Sequence, residues 1–344
     1  GFSPKEIPVN VQKIINIIFD QESELLNEVV VVGYGVQRKS DLTGSVSSIK
    51  GAEITKIPTS SVDQALQGKI AGMQVTPVSG QPGAAAIIRI RGVGTLNDAS
   101  PLFVVDGMFL EDITFLNPND VESVEVLKDA SATAIYGSRG ANGVIIITTK
   151  KGSLNSEAVF EFSSYVGQQK LVKKIDLVNA NEFATLANEV AENEGIGLPF
   201  SDPSIFGEGT DWQEEIFQTA PIQNYQLSVK GGSEKMTYNI SGNFFKQKGI
   251  IQGSDYQRFS LRINNQYYLK SWAKIGHNIS LIRKEEVIAA NVVANAYRAD
   301  PTVAARDTAG NFGNTSVRAS VANPTAQIEF NDNNGSGNRA VGNL

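Results

Sequence analysis

From residue 157 onward the sequence runs in segments of about ten residues in which apolar and polar side chains alternate, the period of strands with two unlike faces. Residues 158–166 carry Phe160 and Phe162 on one face. Tyr225, Leu227 and Val229 follow, then Tyr238, Ile240 and Phe244, then Phe259, Leu261 and Ile263, then Ala273, Ile275, His277, Ile279 and Leu281. The intervening positions are mostly Gln, Asn, Ser, Lys and Arg. A soluble sandwich buries such apolar faces against one another; a membrane barrel turns them out to lipid and keeps the polar faces for its lumen. Short turns such as 231–235 alternate with long polar connections, 176–221 and 289–324, and this asymmetry favours the barrel. The pattern predicts about five strands, too few to close a wide barrel. Residues 325–344 read as a polar loop.

Composition narrows the remaining classes. No run approaches the roughly 20 apolar residues of a membrane-spanning helix, so a helical membrane protein is excluded and a barrel is not. The net charge of −6 argues against a nucleic-acid partner. Cysteine is absent, which rules out disulfides and thiolate metal sites. The single histidine, His277, removes His-rich metal centres and most triads with a histidine base, and it reads as a packing residue. Neither metal nor cofactor is expected. The 344 residues suggest two or three units, and the 32 glycines many tight turns. The start at Gly1, without Met or a signal segment, is expected of a mature or truncated form.

Ahead of residue 157 the units are smaller. Residues 1–19 alternate Val9, Val11, Ile15 and Ile17 and read as the end of a strand; 20–28 form an acidic link. Glu28, Val29, Val30, Val31 and Val32 then precede Gly33-Tyr34-Gly35. Four valines favour extended backbone, either as a buried strand or as one offered to a partner's sheet edge. The Gly33/Gly35 pair fails as a dinucleotide fingerprint, because Arg38 replaces the last glycine and no helix pattern follows. Residues 41–57 read as short strands. Ser61 caps a short helix with Val62, Ala65, Leu66 and Ile70 on one face, and residues 73–75 return as a strand. The loop 76–85 is irregular.

The central stretch is 87–151. Residues 88–91 and 102–105 read as an antiparallel hairpin, which puts the loop 76–85 and the loop starting at Gly107 at one edge and the loop 92–101 at the other. Arg89 and Arg91 alternate with Ile88 and Ile90, and Glu122 and Glu125 lie on the strand 121–128. These four charges suit either a solvated surface or a polar wall. Asp129 is placed to cap a helix 130–136 ending at Gly137, and Gly92, Gly107, Gly140 and Gly143 mark turns or close backbone approach.

These residues carry a resemblance. EVVVVGYG at 28–35, SVDQALQGKIAGMQ at 61–74, IRIRG at 88–92, LFVVDG at 102–107 and the run 124–152, with EVLKDASATAIYG and GVIIITTKKG, stand in the order seen in SusC/RagA-type TonB-linked outer-membrane transporters of Bacteroidetes. Over about residues 1–290 the chain is similar to the N-terminal part of that family. IRIRG alone is weak, whereas the ordered set is specific. Asp129 departs from the Gly that many relatives carry before the Ala-Ser run.

The resemblance implies an α+β plug domain inside a transmembrane antiparallel β-barrel of about 22 strands. It implies that 1–19 is the last strand of an immunoglobulin-like extension. Residues 20–40 become a linker holding a TonB-box-like segment (Glu28 to Val32), 41–152 the plug and 153–344 the first barrel strands. The implied function is TonB-dependent import of a glycan, or in some members a peptide, across the outer membrane. The implied partners are TonB with its ExbB/ExbD energy complex, a SusD-like surface lipoprotein and outer-membrane lipid. Arg89, Arg91, Glu122 and Glu125 are expected to join plug to barrel. Ser79, Gln81, Met108, Phe109, Leu110 and Glu111 are expected to face substrate.

Two other classes compete. A soluble carbohydrate-binding module would stack sugars on Tyr225, Tyr238 or Trp272 and close its apolar faces into a core. An enzyme would need paired carboxylates in a cleft; Glu122/Glu125 and Asp211/Glu214 are pairs expected by chance at 19% charged residues, so no catalytic residue is assigned.

Overall fold

The computed structural model describes residues 29–32, 35–38, 46–95 and 98–344. The expected strand end at 1–19, the acidic link and Glu28 lie outside the described residues. The valines form β1 (Val29–Val32), which pairs antiparallel with the chain's own β2 (Gly35–Arg38).

The largest sheet holds six antiparallel strands in chain order: β10 (Ser156–Gln169), β11 (Ala220–Gly232), β12 (Met236–Lys248), β13 (Asp255–Lys270), β14 (Ala273–Val287) and β15 (Asn334–Asn343). The sixth strand corrects the reading of 325–344 as a loop. Most of these strands also exceed the expected ten residues. Alternation across the sheet is inside out. Phe160 (74% exposed), Phe162, Leu227, Phe259, Leu261 and Leu281 stand bare on one face, whereas Asn224, Gln226, Ser241, Arg258, Arg262 and Asn278 are buried on the other. Among the described residues these apolar side chains stay uncovered by a second sheet, as the sandwich reading requires them not to be.

A smaller module covers the polar face. Its five-stranded sheet has the order β3 (Val46–Lys50), β8 (Val121–Leu127), β9 (Val144–Thr149), β6 (Leu102–Val105), β7 (Met108–Leu110). Only β6 and β9 are parallel. Their continuous apolar runs fit strands buried on both faces. Ile145 and Ile147 join the main core with Ile54, Val62, Leu66 and Val124, while Val104, Leu127, Val144 and Ile146 form a second layer behind the sheet. Each such side chain contributes about 1.5–3 kcal/mol by leaving water.

The expected hairpin of 88–91 with 102–105 does not form. β5 (Ala86–Ile90) pairs with β4 (Met73–Pro77) in a separate two-stranded sheet, while β6 sits in the central one. Local pairing across the loop 78–85 satisfies β5, and the apolar run of β6 demands burial on both faces. Residues 51–54 form a helical turn where strand was expected, and 130–136 is α-helix only over Ala130–Thr133 before a 3-10 stretch over Ala134–Gly140.

The long connections 170–219 and 288–333 lie at one end of the large sheet and share a core of Trp212, Ile216, Val292, Ala296, Ala299 and Val321. The turn between β12 and β13 joins them there, with Gln252 N–H donating to the Ile216 carbonyl. The tight turns 233–235 and 271–272 lie at the other end.

Candidate functional site

Among the described residues, four anchors hold much of the inner module against the polar face of the wall, beside a bond from Asn239 Nδ2 to the Lys150 carbonyl at 2.7 Å. The first is a two-residue turn. Asp106 (φ +46°) and Gly107 (φ +87°) join β6 to β7, the Asp-Gly pairing that a turn with two positive φ values selects. The turn aims the Asp106 carboxylate at the wall. Its Oδ2 accepts from Arg262 Nη2 at 2.5 Å, from Asn278 and from Thr149 Oγ1 at 2.6 Å, while Oδ1 accepts from Thr149 N–H at 3.0 Å. Arg262 also donates to Ser280 Oγ at 2.8 Å. The Asp106 and Arg262 side chains are 6% and 4% exposed.

The second anchor starts from Asn117, whose side chain caps the 3-10 turn Pro118–Asp120. Asp120 Oδ1 then accepts from Gln226 Nε2 at 2.9 Å and Ser241 Oγ at 2.7 Å, and Asn117 Nδ2 donates to Gln226 Oε1 at 2.6 Å. The third is Arg258, 1% exposed, whose Nη1 donates to the Ser60 and Thr114 carbonyls at 2.7 and 3.3 Å. The fourth is Arg339, which donates to Asp112 at 2.6 Å and lies 4.3 Å from the Phe115 ring centroid. Burial pushes the Asp112 carboxyl up, but the Thr114 and Arg339 hydrogen bonds outweigh it and hold the group below its ordinary range.

This arrangement has the character of a holding device. Polar groups alternate along the wall strands, and the module presents turns and carbonyls to them. Dissociation would leave several buried donors and acceptors unpaired, at about 1–3 kcal/mol each unless water replaces them.

Residues 38–144 match the model described as the TonB-dependent Receptor Plug Domain. TonB-dependent receptor P3 of Formosa agariphila is 41% identical over 95% of this chain and 33% of its own length. TonB-dependent receptor SusC of Bacteroides thetaiotaomicron is 40% identical over 77% of this chain and 26% of its own. The solved RagAB peptide importer, in its open-open state, is 32% identical with a TM-score of 0.66, covering 75% of this chain and 32% of that one. The chain belongs to the SusC/RagA family of TonB-dependent receptors. It spans about a third of the length of the curated relatives it matches.

The inner module is therefore the plug and the six-stranded sheet a run of barrel strands. Within the plug, the four charges expected at the wall are placed differently from one another. Arg91 bonds Asp129, an ion pair internal to the plug. Asp129 holds the N-cap position of the helix Ala130–Thr133, yet its side chain makes no cap bond and takes the arginine instead. Arg89 is half-buried and lies near enough to Asp98 to help lower that carboxyl, after the Ser100 hydrogen bonds. Glu122 is exposed, and Glu125 is buried on β8 between β3 and β9. The wall contacts described above use Asp106, Asn117, Asp120 and Asp112. The signal that could have found two of the anchors is Arg258 and Arg262, arginines on a β13 face whose other members from 256 to 266 are the uncharged Tyr256, Ser260, Asn264 and Gln266; Arg262 meets Asp106, and Arg258 the Ser60 and Thr114 carbonyls.

Ser79 is exposed and accepts from the Gln81 N–H; Gln81 is half-buried. Phe109 and Glu111 are exposed, and Met108 and Leu110 half-buried. Phe109 packs edge-on against Tyr136 at 6.1 Å, with Arg139 5.8 Å from its ring centroid. The two loops do not share an edge. A Cβ on Gly83 would meet the Tyr256 ring at 2.2 Å, whereas Asp106 docks at Arg262, six residues and about 20 Å farther along β13. Gly92, Gly107, Gly137 and Gly143 all hold positive φ. At Gly143 (φ +92°) a Cβ would also stand 2.7 Å from Ile90 Cδ1, so this position closes the two sheets together. A Cβ on Gly140 would stand 2.9 Å from the Thr133 carbonyl.

Proposed function

We propose that the whole protein imports a nutrient across the outer membrane by a TonB-dependent mechanism, the plug gating the barrel. The observation that carries this reading is the inside-out wall, lipid-compatible on one face and polar on the other, with a separate module held against the polar face by hydrogen bonds and one buried ion pair. Residues 41–152 act as the plug and 153–344 as the first barrel strands. The segment Glu28 to Val32 offers a strand to TonB, which with ExbB/ExbD supplies the pull. A SusD-like lipoprotein captures substrate above the long connections.

The substrate is a glycan or oligosaccharide; likeness to the RagAB peptide importer favours an oligopeptide as the second reading. Ser79 and Gln81, on the loop at the Tyr256 end of the wall, contact the cargo on the plug, whereas Met108 to Glu111 start from the turn docked at Arg262 and are not carried over to that role. In full-length protein, deleting residues 28–32 is expected to abolish uptake while leaving assembly and surface binding intact. Uptake that survives the deletion would overturn the reading. Competition of uptake by oligosaccharides or by oligopeptides separates the two substrate classes.

A further inference from the structure

β1 and β2 form a two-stranded sheet of their own, with Val32 opposite Gly35, Val31 opposite Val36, Val30 opposite Gln37 and Val29 opposite Arg38. Among the described residues no further strand pairs with either of them. β1 lies close to β9, but β9 is already paired on both sides, by β8 and β6, and takes no strand pairing from it. One long edge of β1 therefore faces β2 and the other has no strand beside it.

The register decides which backbone groups stand on that outer edge. It leaves Gly33 and Tyr34 as a two-residue connection. Glycine in the first place is the preference of a type II′ turn, whose twist matches that of the strands it joins. A turn of that kind closes with a bond from its fourth residue to its first, which makes Val32/Gly35 a hydrogen-bonded pair. Bonded and non-bonded pairs then alternate, so Val30/Gln37 is bonded, and Val29 and Val31 turn their N–H and C=O groups away from β2.

The outer edge of β1 suits an added strand better than the outer edge of β2 does. Four valines favour extended backbone, whereas β2 carries a glycine, which weakens a strand, and Arg38, a charge that blunts an edge. An arriving strand that took the place of β2 would first have to break the whole β1–β2 ladder. Adding to the outer edge breaks nothing. It also meets backbone that is already extended, so less ordering remains to be done on binding.

We propose that β2 is part of the TonB contact: TonB engages the β1–β2 hairpin as a unit, its strand adding beside Val29 and Val31 so that β2, β1 and TonB become neighbours in one sheet. This rests on the reading of Glu28 to Val32 as the TonB segment and extends that segment to Arg38. β2 does not touch TonB; it holds β1 extended and leaves one edge for the partner.

The test measures binding of the periplasmic domain of TonB to the full-length protein in detergent. Gln37→Pro removes a ladder N–H from β2 and leaves residues 28–32 unchanged. A lone hairpin is marginally stable, so its pre-ordering is worth a modest factor, and affinity is expected to fall about tenfold, the order of one residue's backbone ordering. Unchanged affinity would show that β2 has no part, and tighter binding that β2 competes with TonB; either overturns the proposal. Cysteine is absent from the chain, so Val29→Cys with Arg38→Cys can lock the hairpin by a single disulfide. The Cα atoms of a non-bonded pair stand about 4.5 Å apart, within reach of that bond. The oxidised protein is expected to bind TonB at least as tightly as its reduced form, and weaker binding on oxidation overturns the proposal. Deleting residues 28–32 is the separate check. TonB capture that survives the deletion refutes the TonB segment itself, whereas Gln37→Pro bears on β2 alone.

Discussion

Arg262 Nη2 lies 2.5 Å from Asp106 Oδ2, and the pair is closed off from solvent where the plug's Asp-Gly turn meets the barrel wall. Taking two charges out of water is unfavourable, so such a pair is recommended less by net stability than by what happens when half of it is removed. Arg262→Met leaves the Asp106 carboxylate buried with only neutral donors, and is expected to cost about 3–5 kcal/mol of plug–wall stability. Adding Asp106→Asn is expected to recover part of that loss, because no charge then remains unpaired. Denaturant titration of plug release in the full-length protein, read as a double-mutant cycle, checks both. Additive losses would show that the pair is not coupled.

Arg258 works differently, since its Nη1 donates to two plug carbonyls, Ser60 and Thr114. Lysine keeps the charge but loses the planar fork. Arg258→Lys is therefore expected to cost about 1–3 kcal/mol, the range for leaving one buried acceptor unmade. The same titration checks it; an unchanged midpoint would mean that charge alone suffices.

Much of this arrangement was legible in the sequence, and the exceptions have physical causes. The inside-out alternation of β10 to β14 and the Asp-Gly turn at 106–107 are local signals. The partner of that turn is not: Arg262 is 156 residues away, and nothing near Asp106 in the chain points to it. β15 escaped because both of its faces mix small and polar residues, Asn334, Ser336, Asn338, Ala340 and Gly342 on one and Gly335, Gly337, Arg339, Val341 and Asn343 on the other, without the apolar contrast that betrays a strand. The false hairpin of β5 with β6 came from reading adjacency in sequence as adjacency in a sheet. The arginine of IRIRG at position 91 pairs within the plug, a choice between two acceptors that spacing alone does not make.

The loop 78–85 is held by fit at one point. Gly83 has φ +73°, and a Cβ there would meet the Tyr256 ring at 2.2 Å. Gly83→Ala is expected to destabilise by about 1–3 kcal/mol through backbone strain alone, with the clash in addition. Tyr256→Ala in the same chain is expected to relieve the clash and leave the strain. Limited proteolysis of the loop reads the difference: cleavage rises most in Gly83→Ala and less in the double variant. Equal cleavage in both would remove Tyr256 from the account.

Two plug carboxylates predict opposite responses to pH. Asp63 is buried, and burial raises its folded pKa above the ordinary Asp value despite the hydrogen bond from the Ala86 N–H at 2.6 Å. A raised folded pKa means that the fold favours the protonated form. Its contribution is fully present below the unfolded pKa, about 3.9, and is lost as pH rises through the folded value. Asp112 is lowered, burial being outweighed by Thr114 and Arg339. Its contribution is present above the unfolded pKa and is lost as pH falls through the folded value. Asp63→Asn should therefore gain stability relative to the native chain as pH rises from 3 to 7, and Asp112→Asn should lose it over the same interval; these bounds span roughly the carboxylate range. Stability of plug docking measured at several pH values gives both slopes. Two slopes of the same sign would contradict the burial of Asp63 or the Arg339 bond to Asp112.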